Sequence, residues 1–411
     1  MKKRVVILLL TAAALLLILG TAFASAETEA RDITAECKIK NSNGKFKIGR
    51  IFDRDISTYW ASYAEHNTYV QLTAPEGEKI YGVYICFWEK LRSWRLQVLR
   101  NGEWELYGEY DARYAHEYVE LDGVDGVKIM NGKGTSHAVQ MSEIYVFTEG
   151  EIPSWVQRWS DPPEKADILF LVAHPDDEIL FFGGAIPSYA GEWGKNVVVA
   201  YMTCNTPQRR TELLNAMWKC GLRGYPVIGE FWDKYSKKLD TEYKAWGKAE
   251  TWSYITGLYR RFKPEAVVTH DVNGEYGHGG HLVCADACVK CADYAADETK
   301  YSSSLSYGTW QVKKVYLHLG TENTIEMDWD KPLSAFDGKT GFEVAQEVYK
   351  EYISQQDAAQ KNPETGKYEK FVVEPRESKY TCYRFSLVYT VVGPDLNGND
   401  FLENTDGSMN Q

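Results

Sequence analysis

The chain of 411 residues carries 46 Lys and Arg against 58 Asp and Glu, a formal net charge of −12 at pH 7. So acidic a chain argues against nucleic acid or an anionic membrane surface as its partner, because both carry the same sign of charge. A mature length of about 385 residues is too long for one ordinary core and predicts two or three domains. Aromatic residues make up 14% of the chain, which suits contact with sugar faces, although no single ring can be assigned that role.

The first 26 residues have the composition of a secretory signal. Lys2, Lys3 and Arg4 are followed by an apolar run from Val5 to Leu19, and residues 24–26 are Ala-Ser-Ala. A charged start, an apolar middle and a small-residue cleavage site predict an exported protein, either secreted or on the cell surface. The alternative is a retained anchor, because the run is near the lower limit for crossing a bilayer. Cleavage removes three positive charges and takes the net charge from −12 to −15.

Residues 30–148 contain short runs of alternating apolar and polar residues, separated by turn residues. Strands with a period of two at this spacing predict an all-β sandwich. The runs are Tyr69–Leu72, Tyr81–Trp88, Trp94–Leu99, Glu117–Leu121 and Ser142–Phe147.

Residues 149–165 are predicted to be a linker, since Pro153, Pro162 and Pro163 interrupt a polar stretch. Trp155 and Trp159 within it are expected to pack the linker onto a neighbouring domain.

From Ala166 onward, apolar runs of strand type alternate with amphipathic helices, which predicts a Rossmann-like layered α/β domain over residues 166–411. The domain lacks the Gly-x-Gly-x-x-Gly turn, so no dinucleotide is expected. A last helix is predicted from Gly341 to about Ser354. The other strands are Ile168–Ala173, Asn196–Thr203, Ala266–His270 and Val315–Leu319, and the other helices are Arg209–Cys220, Ala249–Phe262 and His281–Ala295.

The first of these strands ends abruptly at His174, Pro175 and three consecutive acids, Asp176, Asp177 and Glu178. Ligands gather at the carboxyl ends of strands in open α/β sheets. Three carboxylates in a row would repel one another unless a cation held them. The alternative is an acidic turn that caps the next helix.

A second polar cluster follows the strand that ends at His270. His278 and His281 are three residues apart and would share one face of the first turn of a helix. Two histidines and one carboxylate, with water in the fourth position, form a catalytic zinc set. The sequence therefore predicts one metal ion in this domain, although His and Asp ligands suit several divalent metals.

At these residues the chain resembles the PIG-L/LmbE zinc deacetylases, over roughly residues 165–360. The matching motifs are Ala173-His-Pro-Asp-Asp-Glu178, Gly277-His-Gly-Gly-His281 and Arg209-x-x-Glu212-x-x-x-Ala216-x-x-x-Cys220-Gly221. The family removes N-acetyl groups from N-acetylglucosamine in lipid- or thiol-linked glycoconjugates. One departure is Gly279-Gly280, where the family commonly has Pro-Asp, so the support of His281 is expected to differ.

The resemblance implies a role for each residue of the two clusters. His174, Asp177 and His281 would hold Zn²⁺, and Asp176 matches the position of the general base. His278, if protonated, would stabilise the oxyanion of the tetrahedral intermediate. Arg209 and His270 are candidates for contact with the substrate, with a surface salt bridge as the alternative for Arg209 and an orienting role as the alternative for His270.

The segment from Phe52 to Ser62 resembles the discoidin (coagulation-factor type C) jelly roll, as does the closing strand from Ser142 to Phe147. That resemblance implies glycan recognition and a structural Ca²⁺, for which Asp53 and Asp55 are the candidate carboxylates. The alternative is a β domain that only packs on the enzyme. Among the eight cysteines, the disulfide bridges Cys37–Cys86 and Cys204–Cys220 are possible, and the sequence alone does not decide whether they form.

The leading hypothesis is an exported zinc N-deacetylase that acts on N-acetylated amino sugars in a glycan or glycoconjugate. One alternative is a zinc amidase on another acyl-amine conjugate. Another is a glycan-binding protein with an inactive α/β domain. The intact His-Pro-Asp-Asp and His-x-x-His motifs argue against an inactive site.

Overall fold

The structure of the protein, a computed structural model, describes residues 28–42, 44–89, 93–111, 113–361 and 368–406. The predicted signal segment, residues 1–26, lies outside the described residues. Within the part of the chain that is described, no helix combines the length and apolar character needed to cross a membrane.

The N-terminal part is an all-β sandwich, as predicted. Two antiparallel sheets enclose a core that includes Trp60 and Trp94, both fully buried. One sheet has the strand order β1-β3-β8-β5-β6 and the other β2-β9-β4-β7. The strands are β1 Lys38–Asn41, β2 Trp60–Ala61, β3 Tyr69–Thr73, β4 Ile80–Phe87, β5 Ser93–Arg100, β6 Glu103–Asp111, β7 His116–Val124, β8 Gly126–Asn131 and β9 Gln140–Phe147.

The C-terminal part is an α/β domain built on a seven-stranded sheet. Its strand order is β12-β11-β10-β13-β14-β18-β15, with the first five strands parallel and the last two antiparallel to their neighbours. A separate pair, β16 and β17, forms a small hairpin. The strands are β10 Ile168–Val172, β11 Val197–Thr203, β12 Val227–Phe231, β13 Ala266–Thr269, β14 Lys314–His318, β15 Thr324–Glu326, β16 Ala359–Lys361, β17 Tyr368–Lys370 and β18 Arg384–Thr390.

Every residue of β10 is buried, because both faces of the sheet are covered. Ile168, Phe170 and Val172 belong to the core on one face, and Leu169 and Leu171 to the core on the other. This explains why the strand reads as a continuous apolar run. The layered α/β class is confirmed, and the finer Rossmann-like description stays a prediction. The helices are α1 Asp177–Leu180, α2 Pro207–Lys219, α3 Leu239–Trp246, α4 Lys248–Phe262, α5 Gly279–Ala296 and α6 Gly341–Val348.

The prediction that the last helix reaches Ser354 is wrong. Helix α6 ends at Val348 and two short 3₁₀ turns follow. Beyond Val348 the backbone N–H groups of Tyr352 and Gln355 donate to the carbonyl oxygen three residues back, as in a 3₁₀ turn. Tyr352 donates its hydroxyl hydrogen to Glu178, and Ser354 donates its backbone N–H to Glu212 over 2.8 Å.

The linker region contacts both domains. Trp155 packs at a ring-centroid distance of 4.8 Å on Tyr145 of the sandwich, and Trp159 at 5.2 Å on Trp218 of helix α2. Gln157 lies between them and donates to Asn215 over 2.7 Å. The two tryptophans therefore hold the linker against the sandwich on one side and the α/β domain on the other.

All eight cysteines are free thiols in this structure, so neither of the bridges left open by the sequence is formed. Cys284, Cys288 and Cys291 lie buried on one side of helix α5, which indicates a packing role.

Candidate metal centre

The two polar clusters meet at the point where the sheet reverses its strand order. From β10 the chain proceeds to β11 and β12 on one side, whereas β13 and β14 lie on the other. Strands β10 and β13 are parallel neighbours, so their carboxyl ends open side by side. This is the crevice where ligands bind in open α/β sheets.

Three predicted ligands converge in this crevice. Nδ1 of His174 lies 3.1 Å from one carboxylate oxygen of Asp177, and Nε2 of His281 lies 3.3 Å from the other. The two ring nitrogens are themselves 3.3 Å apart. Ligand atoms bound tetrahedrally about 2.0–2.1 Å from one zinc ion are separated by about 3.3 Å. Ligand atoms at this spacing can all reach one ion, so the residues fit a zinc ion.

The other nitrogen of each converging histidine faces a carboxylate. His281 Nδ1 lies 2.9 Å from Glu275 Oε2, although its N–H direction lies off the line between the two atoms. His174 Nε2 lies 3.4 Å from Asp233 Oδ1, near the upper limit for a hydrogen bond. A carboxylate behind a histidine keeps the hydrogen on the far nitrogen and leaves the near nitrogen free to bind metal.

His270 and His278 are close enough to belong to alternative metal groups, with His281 and Asp177 or with His281 and His174. Their hydrogen bonds argue against ligation. Nε2 of His270 accepts the backbone N–H of Ala173 over 3.0 Å, and its Nδ1 lies 2.8 Å from Glu275. Nδ1 of His278 accepts the N–H of Gly280 over 3.2 Å as the N-cap of α5, so the ring hydrogen is on Nε2.

The structure corrects the expectation that His270 contacts the substrate. Its side chain is fully buried, and its ring stacks on that of His281 at a centroid distance of 4.0 Å. His270 therefore supports His281 by ring stacking. The role predicted for His278 depended on protonation, whereas burial, with the neighbouring His174 and His281, lowers its pKa to about 3. A neutral ring with its hydrogen on Nε2 still donates one hydrogen bond.

Asp176 is held in place by both its main chain and its side chain. Its φ of 108° lies in a region that non-glycine residues seldom adopt. Its N–H donates to Glu178 Oε2 over 3.1 Å, and its Oδ1 accepts from Arg209 Nη2 over 3.2 Å. Burial raises the pKa of the Asp176 carboxyl to about 6, against the opposing charge of Arg209. A buried carboxyl group with such a pKa is suited to proton transfer near neutral pH.

Arg209 is therefore already engaged by the protein. Besides Asp176, its Nη2 donates to the carbonyl oxygen of Pro175. Its backbone N–H donates to the side chain of Thr206, the N-cap of helix α2, over 3.2 Å. The residue lies on the pocket wall, so a contact with substrate would come in addition to its bond with Asp176.

The crevice opens into a cavity of about 580 Å³. His174, Asp176, Asp177, Arg209, His278 and His281 line it. Tyr235 stands at its rim with 63% of its surface exposed and packs edge-on against His278 at 5.2 Å.

The candidate calcium ligands lie in an exposed turn of the sandwich. Asp53 accepts the N–H of Asp55 over 3.0 Å, and Asp55 accepts the N–H of Ser57 over 2.9 Å. Among the residues that the structure describes, neither carboxylate joins a cluster of three ligating side chains. Calcium binding there stays a prediction.

Sequence reasoning missed the groups that support the site from outside. They are Asp233 after β12, Glu275 before α5, His318 at the end of β14 and Tyr352 after α6. Glu275 stands inside the histidine-rich stretch. In the sequence, Glu275 is marked only by its place in the stretch that holds His270, His278 and His281. Its contact with His318 depends on the fold and could not be predicted from the sequence.

Comparison with known proteins agrees with this geometry. The model of the PIG-L family, described as GlcNAc-PI de-N-acetylase, matches residues 169–292. The chain thus contains a domain of the PIG-L family, a family of metal-dependent deacetylases.

Three bacterial relatives are 1D-myo-inositol 2-acetamido-2-deoxy-alpha-D-glucopyranoside deacetylases by name. The protein from Frankia casuarinae is 27% identical over 41% of this chain and 64% of its own length. The one from Catenulispora acidiphila is 25% identical over 38% and 57%. The one from Geodermatophilus obscurus is 26% identical over 41% and 69%. The chain thus spans less than two thirds of the first two relatives.

Two solved structures are each similar to part of the chain. The conserved protein TT1542 from Thermus thermophilus is 19% identical, with a TM-score of 0.34, over 46% of this chain and 80% of its own. The family 32 CBM from C. perfringens NanJ, in complex with galactose, is 14% identical with a TM-score of 0.26. It covers 29% of this chain and 98% of its own.

Proposed function

We propose that the protein is an exported zinc-dependent N-deacetylase that hydrolyses the acetamide of N-acetylated amino sugars in a glycan or glycoconjugate. The observation that carries the proposal is the spacing of 3.1 to 3.3 Å among the ligand atoms of His174, Asp177 and His281. The PIG-L domain and the acetamido-sugar substrates in the names of the relatives support the reaction and the sugar class.

Each residue of the site has a task in amide hydrolysis. His174, Asp177 and His281 would hold Zn²⁺, which polarises an amide carbonyl and lowers the pKa of its water toward about 7. Asp176 would take the proton of the attacking water through Oδ2, since Arg209 engages Oδ1. The same carboxyl group would return the proton to the departing amine. The Nε2–H of His278 would donate to the oxyanion of the tetrahedral intermediate.

A cluster of half-exposed aromatic rings on the sandwich supports the glycan part of the proposal. Trp88 stacks on Tyr59 at 4.5 Å, and Phe46 packs edge-on against Tyr59 at 5.1 Å. Arg210 Nη2 donates to the carbonyl oxygen of Trp88 over 2.6 Å. Arg210 follows the pocket residue Arg209 in the chain, so the rings lie beside the helix that forms one wall of the pocket. A glycan held there would raise the local substrate concentration.

The first test is acetate release by residues 27–411 from N-acetylglucosamine and N-acetylgalactosamine glycans, with and without a chelator. Chelator-sensitive release that zinc restores is expected. Bound metal at one equivalent without acetate would favour the alternative, an amidase on another acyl-amine conjugate. Neither metal nor acetate would favour the other alternative, a glycan-binding protein with an inactive α/β domain.

The glycan part has its own test. Trp88→Ala is expected to lower kcat/KM on an oligosaccharide and to leave kcat/KM on a monosaccharide unchanged. Tyr307→Ala is the matched control, because Tyr307 is 49% exposed in a 3₁₀ turn of the α/β domain that does not line the pocket. Equal activity of Trp88→Ala and the wild type on both substrates would contradict capture by the sandwich. Secretion is checked separately by finding a protein that begins near residue 27 in the culture medium.

A further inference from the structure

Glu275 lies at the centre of a buried network that the proposed reaction does not use. Its carboxylate is fully buried, lies 2.8 Å from His270 Nδ1 and 2.6 Å from His318 Nδ1, and accepts the Asp271 N–H over 3.1 Å. His281 Nδ1 lies 2.9 Å from Glu275 Oε2, an ion-pair distance at which its N–H does not point straight at the carboxylate oxygen. Three imidazole rings from three different segments therefore surround one carboxylate.

The positions of the ring hydrogens follow from these contacts. His270 must carry its hydrogen on Nδ1, because its Nε2 accepts the N–H of Ala173. His318 donates from Nε2 to the carbonyl oxygen of Thr381 over 3.0 Å, and its Nδ1 faces Glu275. Glu275 thus has N–H groups on several sides, an arrangement that stabilises an ionised carboxylate.

We propose that Glu275 is the positioning residue of His281: it holds the ring hydrogen on Nδ1 and turns the Nε2 lone pair toward the metal. The inference rests on the metal set of the proposed function but not on the identity of the substrate. Because a carboxylate behind a ligating histidine typically changes metal affinity by about 10- to 100-fold, Glu275 sets how tightly the site binds zinc.

The residues between the two histidines of helix α5 cannot provide this support. Both Gly279 and Gly280 lack a side chain. A Cβ at Gly279 would lie 2.9 Å from Glu242, and one at Gly280 would lie 3.2 Å from Trp246 and 3.3 Å from Ala173. The close packing leaves no room for a carboxylate there, and Glu275 reaches His281 from the preceding loop instead.

Asp233 supports His174 less firmly than Glu275 supports His281. The Asp233 side chain is 37% exposed and lies 3.4 Å from His174, whereas Glu275 is fully buried and lies 2.9 Å from His281. Water competes for an exposed carboxylate, so the exposed partner contributes less. We therefore expect Asp233→Asn to weaken zinc binding less than Glu275→Gln.

The test measures zinc affinity of the full-length mature protein by competition with a chromophoric chelator, with thermal unfolding of the metal-free protein beside it. Glu275→Gln is expected to weaken zinc binding about 10- to 100-fold. Glu275→Asp keeps the charge on a shorter side chain, and its zinc affinity is expected to lie between that of the wild type and that of Glu275→Gln. If Glu275→Gln does not fold, Glu275→Asp decides the question.

One control separates this role from general destabilisation. Glu265→Gln removes another fully buried carboxylate at the opposite end of strand β13, where Lys165 and Lys313 pair with it. It is expected to lower the melting temperature of the metal-free protein and to keep the zinc affinity of the wild type.

Wild-type zinc affinity in a folded Glu275 variant would overturn the inference and leave the proposed function standing. Loss of affinity in Glu265→Gln equal to that in Glu275→Gln would overturn it as well, because the effect would then be one of stability. A wild-type protein that binds no zinc would overturn both.

Discussion

Tyr352 donates its hydroxyl hydrogen to Glu178, and the same carboxylate accepts the backbone N–H of Asp176 over 3.1 Å. Tyr352 lies more than 170 residues from Asp176 in the chain and is fully buried. Since Asp176 has a φ of 108°, its peptide needs partners that hold it in this conformation. The hydrogen bonds of Glu178 with Tyr352 and with the Asp176 N–H therefore fix the orientation of Asp176, the proposed general base.

Removal of the Tyr352 hydroxyl is predicted to slow turnover without loss of metal. Tyr352→Phe leaves the ring in place but removes one donor from the buried Glu178, a change worth about 1.4 kcal/mol or about 10-fold in kcat. Tyr349→Phe is the matched control, because the Tyr349 hydroxyl is buried without a partner among the described residues. Equal kcat values for the two variants at full zinc content would refute the positioning role.

Asp176→Asn is predicted to keep the metal and to lose activity. The amide has nearly the same shape, but it cannot take a proton, and general-base catalysis contributes about 100- to 10,000-fold. Zinc content and kcat are measured on the same preparation. Asp177→Asn serves as the comparison and is expected to lose zinc. Zinc loss from Asp176→Asn instead would make Asp176 a ligand.

Zinc is predicted to stabilise the fold. A ligand that binds only the native state at 100 times its Kd raises the free energy of unfolding by about 2.7 kcal/mol. Urea unfolding with a chelator and with excess zinc measures this difference. In Asp177→Asn the difference should vanish, because one of the three ligands is lost. Stabilisation of this variant equal to that of the wild type would point to zinc bound elsewhere.

Mild acid is predicted to weaken the contact between the sandwich and the linker through His116. Its Nδ1 lies 2.7 Å from Gln157 Oε1, and its buried Nε2 has no partner among the described residues. Burial lowers the pKa of His116 from 6.5 to about 4, mainly by removing the ring from water. The stability that the neutral ring contributes is therefore present above pH 6.5 and is lost as the pH falls toward 4.

Across this pH range, the titration of His116 lowers the free energy of unfolding by about 3 kcal/mol. It is measured as the difference in free energy of unfolding between pH 7 and pH 4.5, for the wild type and for His116→Gln. Because other groups titrate in the same range, the prediction concerns the smaller pH dependence of the variant. Identical pH dependence in the two proteins would exclude His116 as the cause.

The sequence by itself determined those features that depend on neighbours in the chain. The continuous apolar run of β10 required a strand buried on both faces, so the position of His174 and Asp177 at its carboxyl end followed. The spacing of His278 and His281 at the start of α5 followed from helical geometry in the same way. The alternating runs of the sandwich also predicted their strands, because a half-buried strand has a period of two.

The tertiary structure alone decided which partner each buried polar group found. Strands β10 and β13 lie side by side, and this adjacency brings His281 to His174. Arg209 pairs with Asp176, and Tyr352, which lies beyond the end of helix α6, donates to Glu178. Glu275 lies in contact with three histidines from three segments. The physical reason is that a buried donor or acceptor must be satisfied by whatever the fold brings within about 3 Å. The sequence does not encode those distances locally.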